Sequence, residues 1–243
     1  MGGMDLRRLV AERGAAVPIE SLWDANRMTE DEWREAAARD RETTRAFLDG
    51  ETEEERALRL LARETETSGI PARFARVPPD TRFARRFRHG RGLYVWGTIG
   101  GSGKTWAACS AVRGWISDGG RGAVFAPCVA MLDDCRSAMT DGRGEGAATD
   151  RYAKARLLVV DDVGKEALSP WTLAKLFEVA DRRYGAMLPT VWTSQLSPAR
   201  LAEHLAGRGD ELTAQAVVSR IVDSCDVIED RGADRRLEGR SRQ

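Results

Sequence analysis

Histidine and cysteine are scarce in this chain, with two and four among 243 residues. None of Cys109, Cys128, Cys135 and Cys225 forms a C-x-x-C pair, which argues against a structural zinc site. The thiols are expected to be small buried side chains in a reducing cytosol. Long apolar runs are missing as well. The longest aliphatic stretch is Leu157–Val160, far short of a bilayer span. The opening MGGMDLRRLV lacks the apolar core of a secretion signal. The expected location is therefore cytoplasmic, with no membrane partner. Net charge is absent too, with 38 basic and 38 acidic side chains, so any nucleic-acid contact must come from local clusters. Lysine is rarer than any of this composition demands: four lysines stand against thirty-four arginines.

One of the four opens the most informative stretch, Leu93-Tyr-Val-Trp-Gly-Thr-Ile-Gly-Gly-Ser-Gly-Lys-Thr105. An apolar run, a glycine-rich turn and then Lys-Thr opening a helix is the arrangement of a phosphate-binding loop. Small residues let backbone N–H groups curl around phosphate oxygens, and the helix N-terminus adds a favourable dipole. The expected nucleotide contacts are Thr98, Ile99, Gly100, Gly101, Ser102, Gly103, Lys104, Thr105 and Trp106. Lys104 would reach the phosphates and the Thr105 hydroxyl would hold Mg²⁺. The spacing is imperfect: Thr98 stands where the pattern wants its first glycine, and Gly97 lies one residue early. The bland alternative is a glycine-rich turn followed by a chance Lys-Thr. Its position between a buried-strand pattern and a helix argues against that, as does a lysine in so arginine-rich a chain.

Residues 1–68 carry helical signals and few strand signals. Thr29 with Glu32, and Thr52 with Glu55, are capping-box patterns; Trp33, Ala36, Ala37, Phe47 and Leu48, then Leu58, Leu60 and Leu61, follow at helical spacing. The face is thinly apolar, so this segment either packs on the main domain, binds a partner, or is a solvated extension. Residues 69–92 form a basic linker. Arg82, Arg85, Arg86, Arg88 and Arg91 are interleaved with Phe83 and Phe87. The preferred reading is aromatics packed on the domain with solvated arginines; contact with DNA phosphates is the alternative.

From residue 93 onward strands and helices alternate. Strands are expected at 93–97, 123–126, 156–161, 189–193 and 226–229, with helices between them. Ser169-Pro170 and Ser197-Pro198 each supply an N-cap followed by proline at the first helical position, and Thr140–Asp150 reads as a glycine-rich flexible loop. Alternating βα units with near-continuous apolar strands predict an α/β domain with a parallel sheet covered on both faces. Its ligand would lie at the carboxyl ends of the strands.

The run Leu157-Leu-Val-Val-Asp161-Asp162 is a buried strand delivering two carboxylates beside that loop. Asp161 would share the Mg²⁺ shell with Thr105, and Asp162 would orient or deprotonate an attacking water. Alone, an apolar run ending in aspartates is a solvated acidic turn as often as a site. Pro189-Thr-Val-Trp-Thr193-Ser194-Gln195 ends a further strand in polar residues. Gln195 is the candidate to sit between the second acid and the γ-phosphate, with Thr193 and Ser194 behind it; simple strand capping is the alternative.

Taken in order, Gly69-Ile-Pro, the glycine-rich loop, Leu-Leu-Val-Val-Asp-Asp-Val-Gly164-Lys-Glu166, Leu176-Phe-Glu, Asp181-Arg-Arg-Tyr184, Pro-Thr-Val-Trp-Thr-Ser-Gln-Leu-Ser-Pro and Ser219-Arg220-Ile resemble the DnaC-type bacterial and phage helicase loaders. Those are AAA+ ATPases close to the IstB transposition helpers, and the resemblance covers about 69–235. It implies a RecA-like AAA+ P-loop core over 93–243, ATP and Mg²⁺ binding, contact with single-stranded DNA, and self-association into an oligomer or filament. It also implies that the helical N-terminal segment grips a replicative helicase. Arg220 matches the position of an arginine finger acting on a neighbouring subunit's ATP; without the resemblance, a helix-surface salt bridge is the preferred reading. Asp162 stands where glutamate is common, which suggests slow hydrolysis, and Gln195 stands where asparagine is commoner. About fourteen residues follow the last strand, too few for a helical lid domain. Loading a replicative helicase onto single-stranded DNA is the expected function. The alternatives are an IstB-like transposition helper ATPase, or a non-hydrolysing adaptor whose active site has worn.

Overall fold

The computed structural model describes residues 52–140, 142, 144–207 and 210–233. The expectations at Thr29, Glu32, Trp33, Ala36, Ala37, Phe47 and Leu48 lie outside the described residues. Thr52 and Glu55 do form a reciprocal capping box: Glu55 N donates to Thr52 Oγ1 at 3.2 Å, and Thr52 N donates back to Glu55 Oε2 at 2.9 Å. They open helix α1 (Glu53–Thr67).

Short turns at Ala72–Phe74 and Thr81–Phe83 and helix α2 (Ala84–Arg88) lead into strand β1 (Gly92–Trp96). Then come α3 (Lys104–Ser117), β2 (Ala123–Pro127), α4 (Cys128–Thr140), α5 (Glu145–Ala153), β3 (Leu157–Val163), α6 (Pro170–Gly185), β4 (Thr190–Ser194), α7 (Pro198–Ala206), α8 (Glu211–Ser224) and β5 (Cys225–Glu229). The five strands form one parallel sheet in the order β2-β3-β4-β1-β5. The strand feeding the glycine-rich loop thus lies between β4 and β5. Ser169 and Ser197 cap α6 and α7 as their sequences foretell, accepting from the backbone N–H of Thr172 and Arg200.

Period-two alternation sorts each strand between two cores. Tyr94, Ala126, Leu158, Val160 and Trp192 point to the face covered by helices α4 to α8. Leu93, Val95, Phe125, Leu157, Val159 and Val191 point to the opposite face, against α3. Both faces are covered, which is why β3 reads as an unbroken apolar run rather than an alternating one. Arg183 of α6 is buried in this framework. It donates to the carbonyls of Tyr152, Ala155 and Pro189 and to Thr190 Oγ1, all at 2.7–2.8 Å. Burial pulls its pKa down to about 9.

Residues 69–92 pack against α3. Ile70, Val77 and Phe87 are buried in the second core. Ser110 donates to the Pro78 carbonyl at 2.5 Å, and Arg113 donates to the Val77 carbonyl at 2.7 Å. Three of the arginines here meet carboxylates of the domain, Arg88 at Asp118 and both Arg86 and Arg91 at Asp226, while Arg82 meets Asp80 within the segment. The packed aromatics match the linker reading, while four of its arginines are ion-paired rather than simply solvated.

Two sequence expectations need correction. The stretch expected as a loop to Asp150 becomes helical at Glu145. Ala148 and Tyr152, four residues apart, are buried against the core, and Tyr152 donates to Asp134 of α4 at 2.9 Å. Tertiary packing outweighs the glycine content: Gly142 and Gly144 lie ahead of the helix and Gly146 is accommodated in its first turn. The second correction concerns β3. It does not stop at Asp161 but runs to Val163 across a register shift against β4 between Val160 and Val163. The two acids therefore lie within an irregular strand rather than beyond its end.

Candidate nucleotide site

The loop after β1 curls around the side chain of Lys104. Its Nζ donates to the Gly97 carbonyl at 2.7 Å, the Ile99 carbonyl at 2.9 Å and Ser102 Oγ at 3.2 Å. Three donors meet three acceptors, so the ammonium is held at the centre of the loop. Burial lowers its pKa, and the nearby carboxylates Asp230, Asp162 and Asp161 pull the other way. Gly103, immediately before α3, sits at φ +124°, a conformation that a side chain would strain. The Thr98 irregularity has a simple explanation. Among the described residues only Asp162 and Met187 combine a side chain with positive φ, so the backbone at Thr98 makes no demand for glycine. Gly97 serves a different need: a Cβ there would come within 2.2 Å of the Asp230 carbonyl.

A cleft of about 350 Å³ opens over this loop, lined by Arg73, Phe74, Gly100, Gly101, Gly103, Lys104, Thr105, Trp106, Asp162, Lys165 and Gln195. Of the residues expected to contact nucleotide, six line it. Thr98, Ile99 and Ser102 do not; Ile99 and Ser102 instead help hold Lys104 from behind.

The acids separate by environment. Asp161 is buried, 7% exposed. Thr105 Oγ1 lies 3.1 Å from both of its carboxylate oxygens, and Thr193 Oγ1 donates to Oδ1 at 2.6 Å. Burial raises the pKa of Asp161 and the neighbouring Asp162 charge raises it further, against the two hydroxyl hydrogen bonds and Lys165. No described lysine or arginine forms an ion pair with it. A buried carboxylate beside a threonine hydroxyl is a pair of hard oxygen donors with negative charge to spare, which suits a small divalent cation that keeps waters and phosphate oxygens in its shell. Asp162 faces the cleft at φ +60°. Its backbone N–H donates to Thr193 Oγ1 at 2.8 Å, and its carboxylate pairs with Lys165 Nζ at 2.8 Å.

Thr193 therefore does more than stand behind Gln195, which itself lines the cleft. Ser194 donates to the Val163 carbonyl at 2.7 Å and fastens the end of β3 to β4. Arg220 is placed elsewhere. It projects from α8, its Nε 2.6 Å from Asp181 Oδ1 on α6, with its guanidinium 4.8 Å from the centre of the Phe177 ring. It does not line the cleft, and its surroundings are those of the salt-bridge reading.

Arg73, Phe74 and Lys165 line the cleft without having been singled out as site residues. Arg73 and Phe74 follow Gly69-Ile-Pro after Ala72, in a turn that Pro71 initiates, and the Arg73 guanidinium lies 4.9 Å from the centre of the Phe74 ring. That proline turn was the available signal. Lys165 follows the paired acids by three residues, and its only signal was the scarcity of lysine.

Residues 92–243 match the family described as IstB-like ATP binding protein. Among solved structures, the fold is similar to that of the DnaC helicase loader (22% identity, TM-score 0.54, covering 66% of this chain and 100% of that one). It is also similar to that of DnaI (22% identity, TM-score 0.56, covering 66% of this chain and 94% of that one). These likenesses establish a RecA-like AAA+ fold. None of the curated proteins matches the chain.

Proposed function

The chain belongs to the IstB-like ATP-binding family, and on that footing we propose that it hydrolyses ATP and uses the cycle to load a replicative DNA helicase onto single-stranded DNA in the cytoplasm. One observation carries the ATPase reading: Lys104 and Thr105 at the start of α3, Asp162 of β3 and Gln195 after β4 line one cleft, with Asp161 and Thr193 buried beside it and hydrogen-bonded to Thr105 and to the Asp162 backbone.

In this mechanism Lys104 exchanges its loop acceptors for phosphate oxygens, while the backbone N–H groups around Gly103 and the N-terminus of α3 add their dipoles. Thr105 and Asp161 would hold Mg²⁺, which when bound offsets the charge of the phosphates. Thr193 fixes both acids at once. Asp162 orients or deprotonates the water that attacks the terminal phosphorus, with ADP as leaving group. Gln195 positions that water or the terminal phosphate. Arg220 would complete the site of a neighbouring subunit in an assembled oligomer, leaving Asp181 to do so, and this makes turnover depend on assembly.

The loader reading is supported by the shared fold of the DnaC helicase loader. A transposition helper of the IstB type is the second reading, favoured by the family match over residues 92–243. The domain assignment follows the same logic: 1–68 as the helicase-binding segment, 69–92 as a basic connector and 93–243 as the ATPase core. Copurification with a replicative helicase, together with ATP turnover stimulated by single-stranded DNA, tests the proposal. Turnover without any helicase partner, accompanied by ATP-dependent filaments on duplex DNA, selects the transposition reading. ATP affinity without turnover under any of these conditions selects the non-hydrolysing adaptor.

A further inference from the structure

We propose that Lys165 is the residue by which this cleft tells a nucleoside triphosphate from a diphosphate: its ammonium, paired with Asp162, turns to the terminal phosphate when a triphosphate enters. The proposal rests on the nucleotide-binding reading above and adds a specificity residue to it.

Position comes first. Lys165 lines the same cleft as Lys104, Asp162 and Gln195, and its Nζ is 2.8 Å from Asp162 Oδ2. Asp162 acts at the terminal phosphate, so a cation in contact with it lies at that end of the cleft. Lys165 is close enough to lower the pKa of Lys104 and to offset the charge of Asp161. Its charge therefore bears on the whole phosphate end of the cleft.

The existing pair is easily exchanged. Its side chains are 48% and 38% exposed, and ion pairs so open to water are weak. A terminal phosphate carries more charge than one carboxylate and offers several acceptor oxygens. Lys165 therefore gains by turning to it, and Asp162 is freed for the attacking water. The exchange links the presence of a third phosphate to release of the acid that acts on it.

Residue type points the same way. Among the described residues, exposed ion pairs elsewhere are made chiefly by arginine, as at Arg82, Arg86, Arg88 and Arg91. Of the four lysines, Lys154 is in a surface pair with Asp150 and Lys175 is buried; the other two, Lys104 and Lys165, line this cleft. A compact ammonium with rotatable donors can swing between two anions, whereas a planar guanidinium locks onto one.

The test is equilibrium binding of a non-hydrolysable ATP analogue and of ADP, each with Mg²⁺, to wild type, Lys165→Met and Lys104→Ala. Lys165→Met is expected to weaken the triphosphate about tenfold, the usual weight of one charge-assisted hydrogen bond, and ADP by less than about twofold. Equal weakening of both ligands, or of neither, overturns the proposal. Lys104→Ala distinguishes the two levels of inference: if it leaves both affinities unchanged, the nucleotide reading itself fails and this proposal falls with it.

Discussion

Thr193 Oγ1 donates to Asp161 Oδ1 at 2.6 Å and accepts the backbone N–H of Asp162 at 2.8 Å. One hydroxyl on β4 thus fixes both acids of β3. It does so where the two strands slip register, so it bridges a stretch that the regular ladder leaves unpaired.

Thr193→Val keeps the shape of the side chain and removes both bonds. Turnover is expected to fall about 10–100-fold, the usual cost of losing an outer-shell partner, while ATP affinity changes little because Lys104 is untouched. Thr193→Ser restores the hydroxyl and most of the activity. Parallel measurement of kcat and of ATP affinity for the three proteins checks this; a Ser variant as impaired as Val contradicts it.

Asp161 is a stability cost as well as a functional group. Burial and the Asp162 charge raise its pKa in the folded protein, so the folded state binds the proton more tightly than the unfolded chain. The sign follows: acidification from neutral pH toward the folded pKa favours the folded state, and the gain is complete below the unfolded value. Asp161→Asn removes that charge. Its melting temperature at neutral pH should exceed that of wild type without nucleotide, and the difference should shrink as pH falls, while Mg²⁺-dependent turnover is lost. Thermal melts across pH, paired with an ATPase assay, test both halves.

Arg220 sits between two roles. Its tie to Asp181 and its place over Phe177 are a helix-to-helix clasp within one subunit. Arg220→Ala should leave ATP binding by dilute protein unchanged and remove the rise of specific activity with protein concentration; fingers are worth about 10³–10⁵ in rate where measured. Partly exposed pairs contribute roughly 0–1 kcal/mol, so the variant should stay folded. Melting below wild type by much more than that corresponds to makes the clasp its role.

How much was legible in the sequence depended on how local the signal was. The five strands and their parallel arrangement follow from alternation of elements, because a strand covered on both faces must be apolar throughout. The serine–proline helix starts are equally local, and each observed cap confirms one. Helix α5 was missed because its support is the packing of Ala148 and Tyr152 on distant residues, which glycine content does not report. Within the site, the phosphate loop and paired acids were readable as runs of residues. The bridging role of Thr193 was not, since it depends on a register shift between two strands. Lys165 and the Arg73–Phe74 turn reach the cleft through the fold, with only a rare lysine and the Pro71 turn to mark them in the sequence.

The measurement that bears most directly on the account is ATP binding and steady-state turnover by wild type and Lys104→Ala. Lys104 donates three hydrogen bonds within the loop, and its replacement leaves that loop without its central charge. The account predicts saturable ATP binding and measurable turnover for wild type, and at least about a hundredfold loss of affinity in the variant, corresponding to roughly two charge-assisted hydrogen bonds to phosphate. Equal ATP affinity in the two proteins would contradict it.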